Sequence, residues 1–278
     1  MPRRARTLRA HMPIRTDYHM HTPLCKHAAG PLEAYVERAI ELGLEEIGFS
    51  DHNPLPGGRG SNVRMDEAQL EQYVASILQL RDDYRGQIVV RLGLEMDYLD
   101  QLLDYLRQQI SRYPWDYIVG SVHYLNSECT VGSWSHRQLS DPPAHYARYF
   151  ALVRDLAASG LCDIIAHFDI PRRSGPPPSV EQQADVTATL QAIQTAGTSV
   201  EINTSGFRHG ELPQSTPYPD WPIIEELIRL GVPLSVNSDA HAPEHVAAEF
   251  PQVERFLRAK GCRQLCRFAG RVRTMYEL

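Results

Sequence analysis

The 278-residue sequence predicts an α/β fold, a seven-stranded (β/α)7 barrel of the TIM-barrel type. The first observation is that short apolar runs recur along the chain and are separated by segments in which apolar residues have helical spacing. Strands that alternate with helices pair in parallel through right-handed crossovers, and such units curl into a barrel. The second observation is that polar residues suited to metal binding follow almost every apolar run.

The predicted strands are short runs of apolar and β-branched residues bounded by turn-forming residues. In chain order they are Thr16–His19, Glu46–Phe49, Ile88–Leu94, Tyr117–Val122, Asp163–Ala166, Ser199–Ile202 and Pro233–Val236. The first predicted helix follows Pro31, and its apolar residues share one face: Leu32, Tyr35, Val36, Ala39 and Ile40. The other predicted helices are Tyr98–Ile110, Ala144–Ala158, Val180–Thr195, Trp221–Leu230 and Glu244–Ala259. The segments NPLPGGRGSN and PRRSGPPPS are expected to be surface loops after strands.

The length fits one domain, because a barrel of this kind needs about 250 residues. We therefore assign residues 16–278 to a single domain. The first fifteen residues, MPRRARTLRAHMPIR, contain five arginines and no acidic residue, and they are expected to form a disordered basic extension. Met12 is an alternative start of the chain.

The composition argues against two classes of binding partner, nucleic acids and membranes. The formal net charge of −6 argues against a broad nucleic-acid-binding surface, and no apolar run approaches the roughly 18 residues of a membrane span. Five scattered cysteines and the lack of a secretory signal indicate the cytoplasm. We expect a small-molecule partner, no nucleic acid and no membrane. The oligomeric state stays open, a homo-oligomer included.

Potential ligands follow every predicted strand except the sixth. They are His19 and His21 after the first, Asp51 and His52 after the second, Glu95, His123 and His167 after the next three, and Asp239 and His241 after the last. The carboxyl ends of parallel barrel strands share one face, where the active sites of barrel enzymes form. Residues two apart on an extended strand point the same way, so one ion can bind both members of the first pair. The pattern predicts one metal site.

Other residues of the same types have ordinary explanations. Asp17 and Asp51 are expected to orient a ligand imidazole without touching a metal. Histidines that do not follow strands are expected to be surface residues: His11, His136, His145, His209 and His245. The cysteines are expected to be structural, including the pair Cys262 and Cys266, because nothing near that pair completes a metal site.

Several motifs are similar to those of a known family. They extend from about Thr16 to His245 and are DYHMHTPLCKHAAG, FSDHNPL, GLEMDY, DYIVGSVHYL, AHFDIPRR, EINTSGFRHG and SVNSDAH. On these motifs the chain resembles the polymerase-and-histidinol-phosphatase (PHP) family of metal phosphoesterases, and within it the histidinol-phosphate phosphatases. The resemblance implies a distorted seven-stranded barrel with a trinuclear metal centre at the carboxyl ends of its strands.

The resemblance also implies how the ligands divide among three divalent ions. The first ion would be bound by His19, His21, Glu95 and Asp239. Glu95 would bridge to a second ion, whose other ligands would be His123 and His167. The third ion would be bound by His27, His52 and His241. Each ligand position of the family pattern is filled, and such nitrogen and oxygen ligands suit zinc, iron and manganese alike.

The implied activity is hydrolysis of L-histidinol phosphate to L-histidinol and phosphate in histidine biosynthesis. Hydroxide held between metal ions would attack phosphorus, since paired metals lower the pKa of bound water and neutralise phosphoryl charge. Catalytic roles would fall on Asp239 and His241 beside the metals. The sequence does not identify the proton donor for the leaving alkoxide; a metal-bound water and Asp239 are the two candidates.

Two loops contribute arginines that match phosphate geometry, because a guanidinium presents a planar fork to two phosphate oxygens. Arg172 follows the fifth strand, with Arg173 as its alternative, and Arg208 follows the sixth. The resemblance implies that Arg172 and Arg208 contact the substrate phosphate and contribute to catalysis. The alternative is that the turn PRRSG, which contains Arg172 and Arg173, is exposed to solvent and does not bind phosphate.

Two other functions use the same ligand set. A nuclease or proofreading phosphodiesterase would share the metal site, but the acidic net charge argues against it. A non-catalytic metal protein receives little support, because a structural site needs only four ligands. Activity on single-stranded DNA, or inactivity on every phosphoester, would separate these readings from a phosphomonoesterase.

Overall fold

The computed structural model describes residues 12–126, 142–173, 179–208 and 216–278. Seven parallel strands pair in chain order, each with the next. They are β1 (Thr16–Asp17), β2 (Glu46–Phe49), β3 (Val89–Asp97), β4 (Tyr117–Ser121), β5 (Ile164–Ile165), β6 (Ser199–Asn203) and β7 (Leu234–Asn237). A parallel bridge between Met20 and Ala240 joins the segments that follow the first and last strands. The predicted seven-stranded barrel is confirmed.

Helices alternate with the strands. They are α1 (Leu32–Leu42), α2 (Leu70–Asp83), α3 (Leu103–Ser111), α4 (Pro142–Ala158), α5 (Val180–Ala196), α6 (Trp221–Leu230) and α7 (Phe250–Ala259). In the described part of the chain, no helix is long and apolar enough to cross a membrane.

Three helix predictions need correction. Helix α2 was missed, although its buried residues follow helical spacing: Leu70, Tyr73, Val74, Ile77 and Leu80. Helix α7 begins at Phe250 and not at Glu244, because Ala247 and Glu249 adopt left-handed backbone angles, with φ of 52° and 62°. Helix α3 begins five residues later than predicted, after a short 3-10 turn.

The last two strands form a hairpin that is not among the predicted elements. Strands β8 (Gln264–Ala269) and β9 (Val272–Glu277) pair antiparallel. Gly270 and Arg271, in the turn, donate backbone hydrogen bonds to Asp116, which directly precedes β4. The hairpin therefore packs at the amino-terminal end of the barrel, opposite the predicted metal site.

Residues 12–15, which the sequence assigns to the disordered basic extension, are part of the described structure. Ile14 is 1% exposed and belongs to the hydrophobic core. The backbone N–H of Arg15 donates to the hydroxyl of Tyr276 on β9, at 3.2 Å. Residues 12–15 are therefore packed against the domain, while residues 1–11 lie outside the described residues.

Two strand glycines make room for a tyrosine inside the barrel. A Cβ atom on Gly48 or on Gly93 would lie 2.2 Å from the ring or hydroxyl of Tyr117. Tyr117 is fully buried and packs against Tyr18 and Phe268, so its ring has little freedom to move. This contact makes small residues necessary on β2 and β3.

We predict that Gly93→Ala destabilises the protein by about 1–3 kcal/mol, the usual range for overpacking a core. Urea unfolding of Gly93→Ala, Tyr117→Ala and the double variant measures the coupling between the two positions. Gly93→Ala should lower the free energy of unfolding less in the Tyr117→Ala background than in the wild-type protein. Equal costs in both backgrounds would show that the ring contact is not the reason.

Candidate metal centre

Glu95 lies at the centre of the predicted ligands and is 1% exposed. Its Oε2 atom lies 2.6 Å from Nδ1 of His52, and 3.5 Å and 3.6 Å from Nε2 of His19 and His21. Its Oε1 atom lies 3.2 Å from Nε2 of His167 and 3.8 Å from that of His123. Each carboxylate oxygen therefore faces a different group of imidazoles, an arrangement suited to a carboxylate that bridges two ions.

Asp239 completes one side of this group. Its Oδ1 atom lies 3.1 Å from Nε2 of His21 and 3.7 Å from Nε2 of His19. Its Oδ2 atom accepts hydrogen bonds from Asn203 and Ser205. Asp239 has a φ of 51°, a left-handed conformation that aspartate tolerates better than most residues and that is common at functional sites.

His27 and His241 approach each other at the outer edge of the cluster. Their Nε2 atoms are 2.9 Å apart, and the ring of His241 stacks on that of His21 with centroids separated by 4.0 Å. Ligand atoms of His21, His52 and His241 lie within 4.8 Å of one another. All nine predicted ligands thus gather at the carboxyl ends of the strands.

Several potential ligand atoms in this cluster are buried and lie close to one another, but make no hydrogen bond of suitable geometry within the described residues. They are Nε2 of His19 and His21, Nδ1 of His52 and Oε2 of Glu95. Leaving a polar atom buried and unpaired costs about 1–3 kcal/mol. A bound cation would satisfy all four atoms, so the residues present fit divalent metal ions. Nitrogen and oxygen donors are compatible with zinc, iron or manganese.

Burial and neighbouring charges act differently on the proposed ligands: carboxylates outweigh burial and raise the pKa values of His19 and His21, whereas three other ligands shift towards the forms that bind metal. Burial raises the pKa of Glu95, but the imidazoles of His52, His19 and His123 outweigh burial and hold that pKa well below its usual range. Burial lowers the pKa of His52 to about 4 and that of His241 to about 2. At neutral pH Glu95 is therefore ionised, while His52 and His241 are neutral and can donate a lone pair to a metal.

Carboxylates behind the cluster bind the second nitrogen of three imidazoles. Nδ1 of His21 lies 3.3 Å from Asp51, as the sequence suggested. Nδ1 of His123 lies 2.9 Å from Asp97, and Nδ1 of His19 lies 3.0 Å from Glu201. Neither Asp97 nor Glu201 is among the predicted site residues: Asp97 ends a strand that extends three residues further at its carboxyl end than predicted, and Glu201 lies inside a predicted strand. The available signal was an acidic residue inside a buried apolar strand.

Asp17 has a different position from the one expected for it. Its carboxylate accepts hydrogen bonds from the backbone N–H groups of Ser238 and Ala247, at 2.9 Å and 3.1 Å, and a longer one from His19. Asp17 therefore connects the backbone around β1 with the segment after β7. It holds the ligand-bearing segments together and makes no described contact with an imidazole ring.

The predicted arginines differ in their surroundings. Nη2 of Arg208 donates to the carbonyl oxygens of Ser238 and Asp239, at 2.7 Å and 3.0 Å, which places the guanidinium beside the metal cluster. Arg172 instead forms an ion pair with Asp169 at 2.8 Å, and its guanidinium lies 4.7 Å from the ring centroid of Tyr218. The described contacts of Arg172 join two loops of the protein.

Three further residues lie at or near the site: Arg173, Cys25, which is expected to be structural, and His245, which is expected at the surface. Arg173 is exposed. Cys25 is fully buried; burial raises the pKa of its thiol, but hydrogen bonds from His21 and His27 outweigh burial and lower it to about 7. His245 accepts a hydrogen bond from the backbone of His241 and so lies nearer the site than expected. Four residues interpreted from the sequence lie outside the described residues: His11, Cys129, His136 and His209.

A parallel α/β barrel with imidazoles and carboxylates gathered at the carboxyl ends of its strands defines a class of metal-dependent barrel hydrolases. Within this class the family can be assigned directly. The chain belongs to the PHP domain family, whose model matches residues 17–205.

The relatives are similar over nearly their whole lengths. A probable histidinol-phosphatase of Deinococcus radiodurans is 34% identical over 256 residues, which cover 89% of this chain and 94% of that protein. A histidinol-phosphatase of Bacillus subtilis is 29% identical over 254 residues, with coverages of 81% and 92%.

The fold is shared with a solved structure of histidinol phosphate phosphatase from Lactococcus lactis, determined in complex with zinc, L-histidinol and phosphate. The TM-score is 0.79 at 22% identity, and the match covers 94% of this chain and 99% of that one. A histidinol phosphatase structure from Listeria monocytogenes gives a TM-score of 0.78 at 19% identity. These likenesses show the fold.

We predict that Glu95→Gln lowers metal content more than His27→Ala does, because a bridging carboxylate contributes to two ions and a terminal imidazole to one. Metal content per chain, measured by elemental analysis after purification without chelator, tests this ranking. A Glu95→Gln protein with normal metal stoichiometry and activity would show that Glu95 does not bridge.

Proposed function

We propose that this chain is a metal-dependent phosphomonoesterase that hydrolyses L-histidinol phosphate to L-histidinol and inorganic phosphate. The observation that carries the proposal is the buried Glu95 carboxylate with five imidazoles around it at the carboxyl ends of barrel strands. Relatives that align over most of their length are histidinol-phosphatases, which supports this choice of substrate.

The proposed cofactor is a set of three divalent ions, with zinc, iron and manganese as candidates. The proposed ligands are His19, His21, His27, His52, Glu95, His123, His167, Asp239 and His241. Zinc is supported by the complex of the Lactococcus lactis protein. Bound ions would lower the pKa of water and neutralise charge on the phosphoryl oxygens during displacement at phosphorus.

Arg208 is the proposed phosphate-binding residue of the chain. Its Nη2 atom is held by two backbone carbonyls next to Asp239, while its Nη1 atom is buried and makes no hydrogen bond within the described residues. A guanidinium fixed in this way can direct N–H groups at a phosphate oxygen without reorganisation. Arg208 would thereby bind and orient the phosphate beside the metal ligands.

Arg172 is better explained as a residue that positions the substrate-side loops. Its ion pair with Asp169 and its hydrogen bond to Thr216 Oγ1 at 2.8 Å join the segment after β5 to the segment before α6. Arg173 is exposed and next to it, so it is the alternative phosphate contact from this loop.

The surroundings of Asp239 favour a ligand role over a proton-donor role. Burial raises the pKa of Asp239, but His19, His21 and His241 outweigh burial and hold the pKa well below its usual range. A carboxylate ionised at neutral pH has no proton to give to the leaving alkoxide. Asp239 and His241 would therefore act by binding metal beside the reacting phosphate.

The direct test of the proposed function is phosphate release from L-histidinol phosphate. We expect turnover by the metal-loaded protein, loss of turnover after chelation, and recovery on addition of manganese, zinc or iron. Single-stranded DNA, assayed side by side, should not be cleaved. Absence of phosphate release with all three metals would contradict the proposal, and cleavage of DNA alone would favour a nuclease.

We predict that Arg208→Lys lowers kcat/KM by roughly ten- to a thousandfold, because lysine lacks the bidentate fork; each factor of ten corresponds to about 1.4 kcal/mol. Metal content should stay unchanged. Arg229→Lys, at an exposed arginine on α6, is the matched control and should leave kinetics unaltered. Unchanged kinetics of Arg208→Lys would show that Arg208 does not bind the substrate phosphate.

A further inference from the structure

Glu201 is a fully buried carboxylate on β6, the one predicted strand that no predicted ligand follows. In the part of the chain that the structure describes, no lysine or arginine lies within 4.0 Å of its carboxylate oxygens; its ion-pair partner is His19. A buried charge is costly unless it is paired and hydrogen-bonded. The position of Glu201 therefore needs an explanation.

Four groups donate to this carboxylate. Oε2 lies 3.0 Å from Nδ1 of His19 and accepts from the amide of Asn237 at 2.9 Å. Oε1 accepts from the backbone N–H of His167 and from the amide of Asn203, both at 2.8 Å. Glu201 thus contacts the ring of one proposed ligand and the backbone of another, in the segments that follow β1 and β5.

The His19 contact has a direct consequence for metal binding. A carboxylate acceptor keeps the proton of His19 on Nδ1, so the lone pair of Nε2 points towards Glu95 and Asp239, 3.5 Å and 3.7 Å away. Such a carboxylate also makes a metal-bound imidazole a stronger donor and fixes its ring orientation. The nearby amide of Asn203 also donates to Asp239, so the same network orients a second proposed ligand.

Asp97 makes the corresponding contact with His123, but its charge is differently balanced. Arg64, which is 2% exposed, donates to Oδ2 of Asp97 at 2.6 Å, while His123 lies on the side of Oδ1. The arginine therefore offsets the charge of Asp97. Glu201 has no such arginine within 4.0 Å in the described residues, so its negative charge acts mainly on His19.

We propose that Glu201 is a positioning residue that fixes the Nδ1–H form and the ring orientation of His19 and thereby sets the affinity of the site for the ion bound by His19. The proposal rests on the metal site of the proposed function, but it concerns binding of the metal alone. Glu201 itself does not touch the ion.

The test compares Glu201→Gln with Glu46→Gln. A glutamine at position 201 turns a donor towards groups that already donate, and it removes the charge facing His19. Glu46 is also a buried strand glutamate, 2% exposed, but it binds Tyr18 and Arg91, away from the site. By chelator competition with zinc, we expect binding about 10- to 100-fold weaker in Glu201→Gln and unchanged in Glu46→Gln.

A second variant and an NMR measurement keep the proposal testable if Glu201→Gln does not fold. Glu201→Asp keeps the charge but withdraws it from His19, so its zinc affinity should also fall below that of the wild type. In ¹H–¹⁵N spectra of histidine-labelled, zinc-loaded wild-type protein, His19 should appear protonated at Nδ1, and this resonance should shift in Glu201→Asp. Wild-type affinity in both variants, or His19 protonated at Nε2, would overturn the proposal.

The two proposals fail separately. A protein that binds zinc but does not release phosphate from L-histidinol phosphate would contradict the proposed function and leave the role of Glu201 standing. A protein with normal turnover and equal zinc affinity in wild type and Glu201→Gln would contradict only the role of Glu201.

Discussion

The structure of the site depends on one constraint, the burial of the Glu95 carboxylate among imidazoles. Glu95 has almost no contact with solvent, and the described chain supplies it with imidazole nitrogens and the hydroxyl of Ser121. A carboxylate in such a place needs positive charge from protons or from metal ions. That charge comes either from protonated His19 and His21, whose pKa values the carboxylates raise against burial, or from metal ions bound in their place. The barrel brings these groups together by ending its parallel strands at one face.

Around this centre, polar contacts fix the direction of several proposed ligands. Asp51, Asp97 and Glu201 bind the second nitrogen of three imidazoles, while Asp17 holds the backbone on either side of the barrel closure. These contacts matter for metal binding, because the ring orientation and tautomer of a histidine decide which nitrogen lone pair can bind a metal ion. The opposite end of the barrel is filled by Tyr117 and the C-terminal hairpin, and it serves stability.

The sequence predicted the barrel and the gathering of its ligands because both follow from local patterns. Strand periodicity and the residues after each strand carried that information. Glu201 could not be found in this way, since it lies within a strand and its partners are distant in sequence. The contacts of Arg172 could not be predicted from the sequence either. Its ion pair with Asp169 and its contact with the ring of Tyr218 are seen only in the folded structure. Left-handed residues before α7 explain the misplaced start of that helix.

The central claim is that Glu95 lies between metal ions that act on a phosphate ester. A crystal structure of the zinc-loaded protein with phosphate, with anomalous scattering measured at the zinc edge, tests it most directly. We predict anomalous peaks on both sides of the Glu95 carboxylate, a further peak beside His27 and His241, and phosphate next to Arg208. A single peak remote from Glu95, or phosphate bound away from the peaks, would contradict it.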